Sequence, residues 1–236
     1  MDHMNLSIII PALNEEHRIR PTLEHYAAAF PKQTEIIVVI NGTTDNTLKV
    51  VQDVAKKYSY IQYMNFPEKI GKGGAIIEGF KKAKGTYLCF VDADSSTEPD
   101  QIEKLYHELQ TSDYAGIIGS RWMKGSVIKK YQPLSRIIAS RVYNLLVRYY
   151  LGLHLKDSQC GAKIFRKEAI IDVLPEILPT TWEFDVSLLY TLHKRGYRVK
   201  EVPIVWEDKL GSNLKIRLTA PKMFKSLMQI KKGKKI

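Results

Sequence analysis

Cysteine is scarce: Cys89 and Cys160 are the only two in 236 residues, too few for a disulfide framework or a thiolate metal site. Both are expected to be reduced thiols in packed positions. No apolar run approaches the ~20 residues of a membrane span and no signal peptide precedes the first strand-like stretch, so the expected location is cytosolic or peripheral. The six histidines show neither metal-ligand spacing nor a nucleophile pairing, which leaves them as surface or packing residues. There is no internal repeat, zinc finger, aromatic RNA-binding motif or helix-turn-helix, and this argues against nucleic acid as a partner. Acids are missing altogether from 209–236, where nine Lys or Arg fall; the formal net charge of +11 therefore leaves about +2 for the preceding body. By charge alone such a tail suits anionic lipid, nucleic acid or plain solvent. Met1-Asp2-His3 ahead of Met4 reads as an added or alternative start and is left out of the fold.

What is present is an alternation. Leu6-Ser7-Ile8-Ile9-Ile10 reads as a strand, followed by a helix over 18–30; Glu35 to Ile40 is a second strand and 45–57 a second helix. A weaker strand over 61–65, a helix over 73–82 and a strand over 87–91 continue the series, with a further helix starting near Pro99. Strand–helix alternation specifies an α/β fold with a mainly parallel sheet, helices on both faces and the strand-leaving loops on one edge. Glu15, Asn41, the glycines from Gly71 to Gly74, and Asp92 with Asp94 are then expected to meet there. One domain over 4–212, with a basic amphipathic tail over 213–236, accounts for the length.

Tyr87-Leu88-Cys89-Phe90-Val91-Asp92-Ala93-Asp94 is the stretch around which a site is expected, because a buried strand ends on two carboxylates. If the extended geometry persists, residues i and i+2 share a face, and two hard oxygen donors there suit Mg²⁺ or Mn²⁺ completed by water and substrate phosphate. A solvated turn in which Asp94 or Ser95 caps the next helix is the alternative. Lys69-Ile70-Gly71-Lys72-Gly73-Gly74-Ala75 resembles a phosphate-cradling loop at a helix start, although it lacks the P-loop spacing and has no Ser or Thr after its lysine. A tight loop into a helix explains it equally well in isolation.

Taken in order, Ile10-Pro11-Ala12-Leu13-Asn14-Glu15-Glu16, Ile36 to Val39 with Gly42-Thr43-Thr44-Asp45, Gly71-Lys72-Gly73-Gly74-Ala75 and Val91-Asp92-Ala93-Asp94 resemble the family 2 inverting glycosyltransferases of GT-A fold. Gly119-Ser120-Arg121, the run from Asp157 to Phe165 and Trp182-Glu183-Phe184-Asp185-Val186 extend the likeness to the branch that transfers a sugar to a polyprenyl phosphate, near the dolichyl-phosphate β-glucosyltransferases and mannose synthases. The resemblance implies a metal-dependent hexosyltransferase using a nucleotide sugar, with UDP-glucose preferred, and a dolichyl or polyprenyl phosphate acceptor at the cytoplasmic face of a membrane. It implies that Pro11, Ala12, Leu13 and Glu15 border the base and ribose and that Asp92, Ala93 and Asp94 handle ribose, metal and diphosphate; independently, with the glycine loop and the acid pair on one edge, backbone amides, Lys72 and a metal are expected to hold a nucleotide diphosphate. Two positions depart from the pattern. Asn41 stands where an acid is usual, so its carbonyl is left to accept a base N–H, and Ser96 stands where mannose synthases often carry a further metal ligand, Gln.

Arg121 and Arg136 are the cations expected to receive the acceptor phosphate. Asp185 is expected either as a base for a glycan hydroxyl acceptor, the rival reading, or as a sugar-binding or helix-capping residue; Asp157 and Gln159 are expected on the sugar side or as structural residues. A catalytically idle membrane adaptor with the same fold is the reading from another class. Arg141 and Arg148 fall within about 20° of each other on a helix over 133–153, which is either an interfacial helix or a core helix whose arginines reach for solvent. The tail from Pro221 sets Met223, Phe224, Leu227, Met228 and Ile230 on one arc against Lys222, Lys225 and Lys232, with Lys231, Lys234 and Lys235 beside them, a pattern expected to dock on a membrane surface.

Overall fold

The computed structural model describes residues 5–30, 34–177, 183–209 and 225–233. Strands β1 (Leu6–Ala12), β2 (Glu35–Asn41) and β4 (Tyr87–Phe90) are buried through almost their whole length, as expected of β-branched runs covered on both faces. Side chains alternate between the two layers: Ile8, Ile10, Ile36, Val38 and Ile40 join one apolar cluster, and Ile9, Ile37 and Val39 join the other. The first layer is closed by α1 (Ile19–Ala29), α2 (Thr47–Lys57) and α4 (Pro99–Gln110). Covering the second are α3 (Gly71–Lys82), α5 (Leu134–Leu151), α6 (Lys167–Val173) and α7 (Phe184–Lys194).

The seven-stranded sheet has the order β3-β2-β1-β4-β7-β5-β8, where β3 is Ile61–Phe66, β5 is Gly116–Ser120, β7 is Lys163–Arg166 and β8 is Val199–Pro203. All neighbours pair in parallel except β7, which runs against both β4 and β5. This is the mainly parallel, helix-flanked α/β architecture expected from the alternation. A separate parallel pair, β6 (Val127–Lys130) with β9 (Val205–Glu207), lies outside the main sheet. Because β2 and β3 lie to one side of β1 and β4 to the other, the connections diverge between β1 and β4, and a crevice opens beyond their C-terminal ends.

The opposite edge is pinned by one carboxylate. Glu35 is almost fully buried and accepts from Ser7 Oγ at 2.7 Å, the Lys84 N–H at 2.9 Å and Gln62 Nε2 at 3.3 Å, so it ties β1, β2, β3 and the turn before β4 together. Replacing Glu35 with Ala strands those donors away from water and is expected to cost about 3 kcal/mol in a urea denaturation series, without moving the other edge.

Both cysteines are buried free thiols, as expected. Met4, Trp182, Pro221, Lys222, Met223, Phe224, Lys234 and Lys235 lie outside the described residues. Residues 225–232 are helical, but the arc that the tail pattern assigned to a membrane is partly spent on the protein itself. Leu227 and Ile230 are buried in the second apolar layer, and Lys231 sits 4.6 Å from the ring of Tyr150 on α5. Among the described residues no helix is long and apolar enough to cross a membrane.

Candidate active site

The loops after β1, β2 and β3 are zipped into one rim. Asn14, at φ 55°, donates its N–H to Thr43 Oγ1 at 2.9 Å and accepts from the Thr44 N–H at 2.8 Å, while the Glu15 N–H reaches Thr47 Oγ1 at 2.7 Å. Gly42 turns with φ +59° against Lys69, where a Cβ would come within 2.7 Å of the Lys69 Cβ; only glycine fits both the turn and the approach. Ala12 is buried between half-buried Pro11 and Leu13. Glu15 is held by both forks of Arg18, at 2.7 and 2.8 Å; burial raises its carboxyl above the ordinary value, and Arg18 counters only part of that rise. Asn41 donates Nδ2 to Ala12 O at 3.2 Å, while its Oδ1 is a buried acceptor with no partner. A buried acceptor without a partner can still take an N–H donor.

The acid pair is not extended. The strand stops at Phe90, and the chain turns through Ser95 at φ 57°, so Asp92 and Asp94 do not share a strand face. The turn itself is the cause: Asp94 Oδ1 accepts the Ser96 N–H at 3.0 Å, Thr22 Oγ1 donates to Ala93 O at 2.9 Å, and Ala93 is buried between the acids. Both carboxylates are half-buried, and they still feel each other. Burial and the Asp92 charge raise Asp94, whereas Asp92 is held below the ordinary carboxylate value because Lys72, aided by Lys163 and Arg121, outweighs its burial. Gly161 makes room for Asp92: a Cβ there would lie 1.9 Å from Asp92 Oδ2.

The expected helix start at Gly73 moves to Gly71, so the glycines form the first turn of α3, with no side-chain cap and with Lys72 beside them. Lys72 Nζ lies 2.7 Å from Asp92 Oδ1 and 3.8 Å from Asp185 Oδ2. Asp185 in turn is buried on the first turn of α7 and accepts from Lys163 Nζ at 2.5 Å. Lys163, the first residue of β7, has no exposed surface and also donates to Cys160 O. The result is a line of alternating charge, Lys163, Asp185, Lys72, Asp92. Asp185, expected as a base or as a sugar-binding or helix-capping residue, is ion-paired to Lys163 on the first turn of α7. Sequence reasoning missed Lys163; the available signal was a lysine heading the otherwise buried run Ala162-Lys163-Ile164-Phe165.

Arg121 is likewise not an open cation. Its fork grips Asp157 at 2.7 and 2.8 Å, its N–H reaches the same carboxylate at 3.0 Å, and its guanidinium stacks 5.7 Å from Trp122 and 5.2 Å from Trp206. Burial raises the Asp157 carboxyl, but Arg121 wins and holds it below its ordinary value. Beside this pair lies a small cavity lined by Trp122, Tyr131, Ile137 and Trp206. Arg136 is half-buried on the first turn of α5, its N–H bonded to Pro133 O at 2.8 Å. Gln159 is half-buried in the same loop as Asp157.

The rim therefore gathers Glu15, Asn41, the first turn of α3 and the two acids, as the alternation led one to expect. Among the described residues no cluster of three or more His, Cys, Asp or Glu could hold a metal ion. Two half-buried carboxylates fit an ion that draws its remaining ligands from water and phosphate oxygens, not an all-protein cage.

The family model for glycosyl transferase family 2 matches residues 7–174. Relatives include the glycosyltransferase AglD of Haloferax volcanii, 32% identical over 87% of this chain and 34% of its own length. Dolichyl-phosphate beta-glucosyltransferase ALG5C of Trichomonas vaginalis is 32% identical over 89% of this chain and 66% of its own, and the Saccharomyces cerevisiae dolichyl-phosphate beta-glucosyltransferase 30% over 96% and 74%. The chain thus spans about a third of the archaeal relative and 66% of the Trichomonas one. Among solved structures, glucosyl-3-phosphoglycerate synthase of Mycobacterium tuberculosis with Mn²⁺, UDP and glucosyl-3-phosphoglycerate superposes with a TM-score of 0.69 over 96% of this chain and 78% of that one, at 18% identity. At that identity the likeness is one of fold.

Proposed function

The chain belongs to glycosyl transferase family 2, and from that premise we propose that it moves glucose from UDP-glucose to a dolichyl or polyprenyl phosphate, inverting the anomeric centre. Relatives named for this reaction match along most of the chain. The observation that carries the choice of acceptor is the burial of Asp185 against Lys163. A sugar hydroxyl needs a carboxylate to take its proton, and the carboxylate expected for that work is ion-paired. A phosphate monoester, with a second pKa near 6 by analogy with phosphorylated side chains, is already largely dianionic at neutral pH and needs only positive charge around its approach.

Asp92 and Asp94 would hold Mg²⁺ or Mn²⁺; structures of the fold neighbour contain Mn²⁺ or Mg²⁺ together with UDP. When bound, the ion stabilises the departing nucleoside diphosphate. The remaining work belongs to the chain. The first-turn amides of α3 and the Lys72 ammonium face the diphosphate, Pro11 to Leu13 and Glu15 border the base and ribose, and Asn41 Oδ1 accepts the base N–H. Arg136 receives the lipid phosphate, while Arg121, tied to Asp157, contributes its field and fixes the loop. The protein works as a peripheral enzyme on the cytoplasmic face of a membrane.

The test is a panel of radiolabelled nucleotide sugars offered with polyprenyl phosphate and Mg²⁺ or Mn²⁺, followed by organic extraction. Glucose label from UDP-glucose is expected in the lipid phase, and polyprenol in place of its phosphate should give no product. Equal transfer to the alcohol would return the base role to a carboxylate and sink the proposal. Replacing Asn41 with Leu leaves the base N–H unpaired and should weaken UDP binding about tenfold or more by titration calorimetry; because Nδ2 no longer reaches Ala12 O, it is also expected to cost the free protein about 1 kcal/mol.

A further inference from the structure

Both oxygens of Asp92 are engaged. Oδ1 takes Lys72 Nζ at 2.7 Å, and Oδ2 lies against Gly161, where a Cβ would come within 1.9 Å of it. Asp94 gives its own Oδ1 to the Ser96 N–H at 3.0 Å. A divalent ion seated on the two acids therefore has to take Asp92 Oδ1 from Lys72 or share it with a second positive charge at contact distance, and either weakens its hold.

Lys72 has a second place to stand. Asp185 Oδ2 lies 3.8 Å from its Nζ and accepts no hydrogen bond among the described residues, since Lys163 is bonded to Oδ1. A swing of about 1 Å at the end of the flexible lysine stem brings the ammonium to charge-assisted bonding distance of that oxygen. Burial pulls the Lys72 ammonium toward deprotonation, but Asp92 and then Asp185 more than counter it, so the group stays charged and only its position is free to change. The Phe90 ring, 5.9 Å from Nζ, also favours a cation in this space.

We propose that Lys72 is an internal counterion that Asp92 surrenders when a divalent ion seats on the acid pair, its ammonium passing to Asp185 Oδ2 and to the diphosphate at the first turn of α3. The inference rests on the reading of Asp92 and Asp94 as the ion's carboxylates, and adds what makes ion and nucleotide depend on each other. Alone, the ion competes with Lys72 and binds weakly. With UDP present, the phosphates hold the lysine and free Asp92, and by linkage the ion tightens UDP by the same factor. Lys163 is a positioning residue in this exchange, because its grip on Asp185 Oδ1 leaves Oδ2 to Lys72.

The experiment titrates Mn²⁺ into the full chain with and without UDP, reading free Mn²⁺ from its paramagnetic resonance signal. Lys72→Met is expected to bind Mn²⁺ alone about tenfold tighter than wild type, and the further tightening by UDP should shrink by about the same factor. Lys72→Arg keeps the charge and should bind Mn²⁺ no tighter than wild type. Lys69→Met removes an exposed cation from the same loop and should stay within about twofold of wild type. Mn²⁺ binding by Lys72→Met that is no tighter than wild type, at unchanged thermal melting, overturns the proposal, as does equal tightening in Lys69→Met, which makes the effect one of net charge. Lys72→Gln, which keeps a hydrogen-bond donor without the charge, decides in the same way if the Met variant melts lower. Asp94→Asn separates the two readings and should weaken Mn²⁺ binding about tenfold or more. Binding that survives it tells against the acid pair as the ion's seat and takes the exchange with it, whereas loss there without tightening in Lys72→Met leaves the seat standing and removes the exchange alone.

Discussion

Asp94→Asn is expected to lower UDP release from UDP-glucose by about 10²–10³-fold at saturating Mn²⁺, and chelation should silence the unmodified enzyme to the same degree. The reasoning turns on a carboxylate held against its own preference. Burial and the neighbouring Asp92 charge raise Asp94 above its ordinary value of 3.8. A carboxyl with a raised value in the fold favours folding below that value and opposes it as pH rises through it. At neutral pH the ionised side chain therefore works against stability, which is the usual signature of a residue kept for its chemistry. Asparagine keeps an oxygen to accept the Ser96 N–H, which Asp94 Oδ1 now takes at 3.0 Å, and sheds the repulsion. The variant should accordingly melt no lower than the parent at pH 7 while losing turnover. Retention of about a tenth of the activity, or a clear fall in melting temperature, would show that Asp94 serves the turn and not the reaction.

Lys163→Met is expected to destabilise the fold by about 3–5 kcal/mol in urea, the cost of leaving a buried partner's charge unanswered. Asp185 would keep only Lys72, 3.8 Å away, which is itself engaged with Asp92 at 2.7 Å. The double variant Lys163→Met/Asp185→Leu should recover most of the loss, because an apolar pair of similar volume needs no compensation. A single-variant cost of about 1 kcal/mol or less would place the pair among weak surface bridges and remove it from the electrostatic frame of the rim.

The contrast between these two residues shows what could be read from sequence. Asp94 was legible because local rules reach it: a buried β-run, a stop, two acids and a glycine-led helix are all short-range signals, and alternation places their loops on one edge. Parallel strands over 6–12, 35–41 and 87–90 emerged for the same reason, through β-branched runs with period-2 burial. The turn that swings Asp92 and Asp94 off a common face depends on Thr22, some seventy residues earlier, gripping the Ala93 carbonyl. Lys163 was illegible as a site residue because β7 is inserted between β4 and β5 from far along the chain and in the opposite sense. Its partner Asp185 is 22 residues further on. Arg121 is legible as a cation in the Gly119-Ser120-Arg121 motif, yet its charge is answered by Asp157, 36 residues away. Charge at a motif position signals presence; whether it is open or matched is set by tertiary contacts. Leu227 and Ile230 make the same point for the tail, whose helical period was visible but whose covering surface was not.

The seam between β4 and β7 divides the molecule by task as well as by space. Everything proposed for the nucleotide comes from residues before Pro99, and everything proposed for the incoming lipid comes from residues after Gly116, with the two segments meeting where opposed strands pair from Tyr87–Arg166 to Phe90–Lys163. A chimaera cut in α4 would thus inherit its currency from one parent and its customer from the other, provided that Gly161 travels with the second piece to leave Asp92 its space.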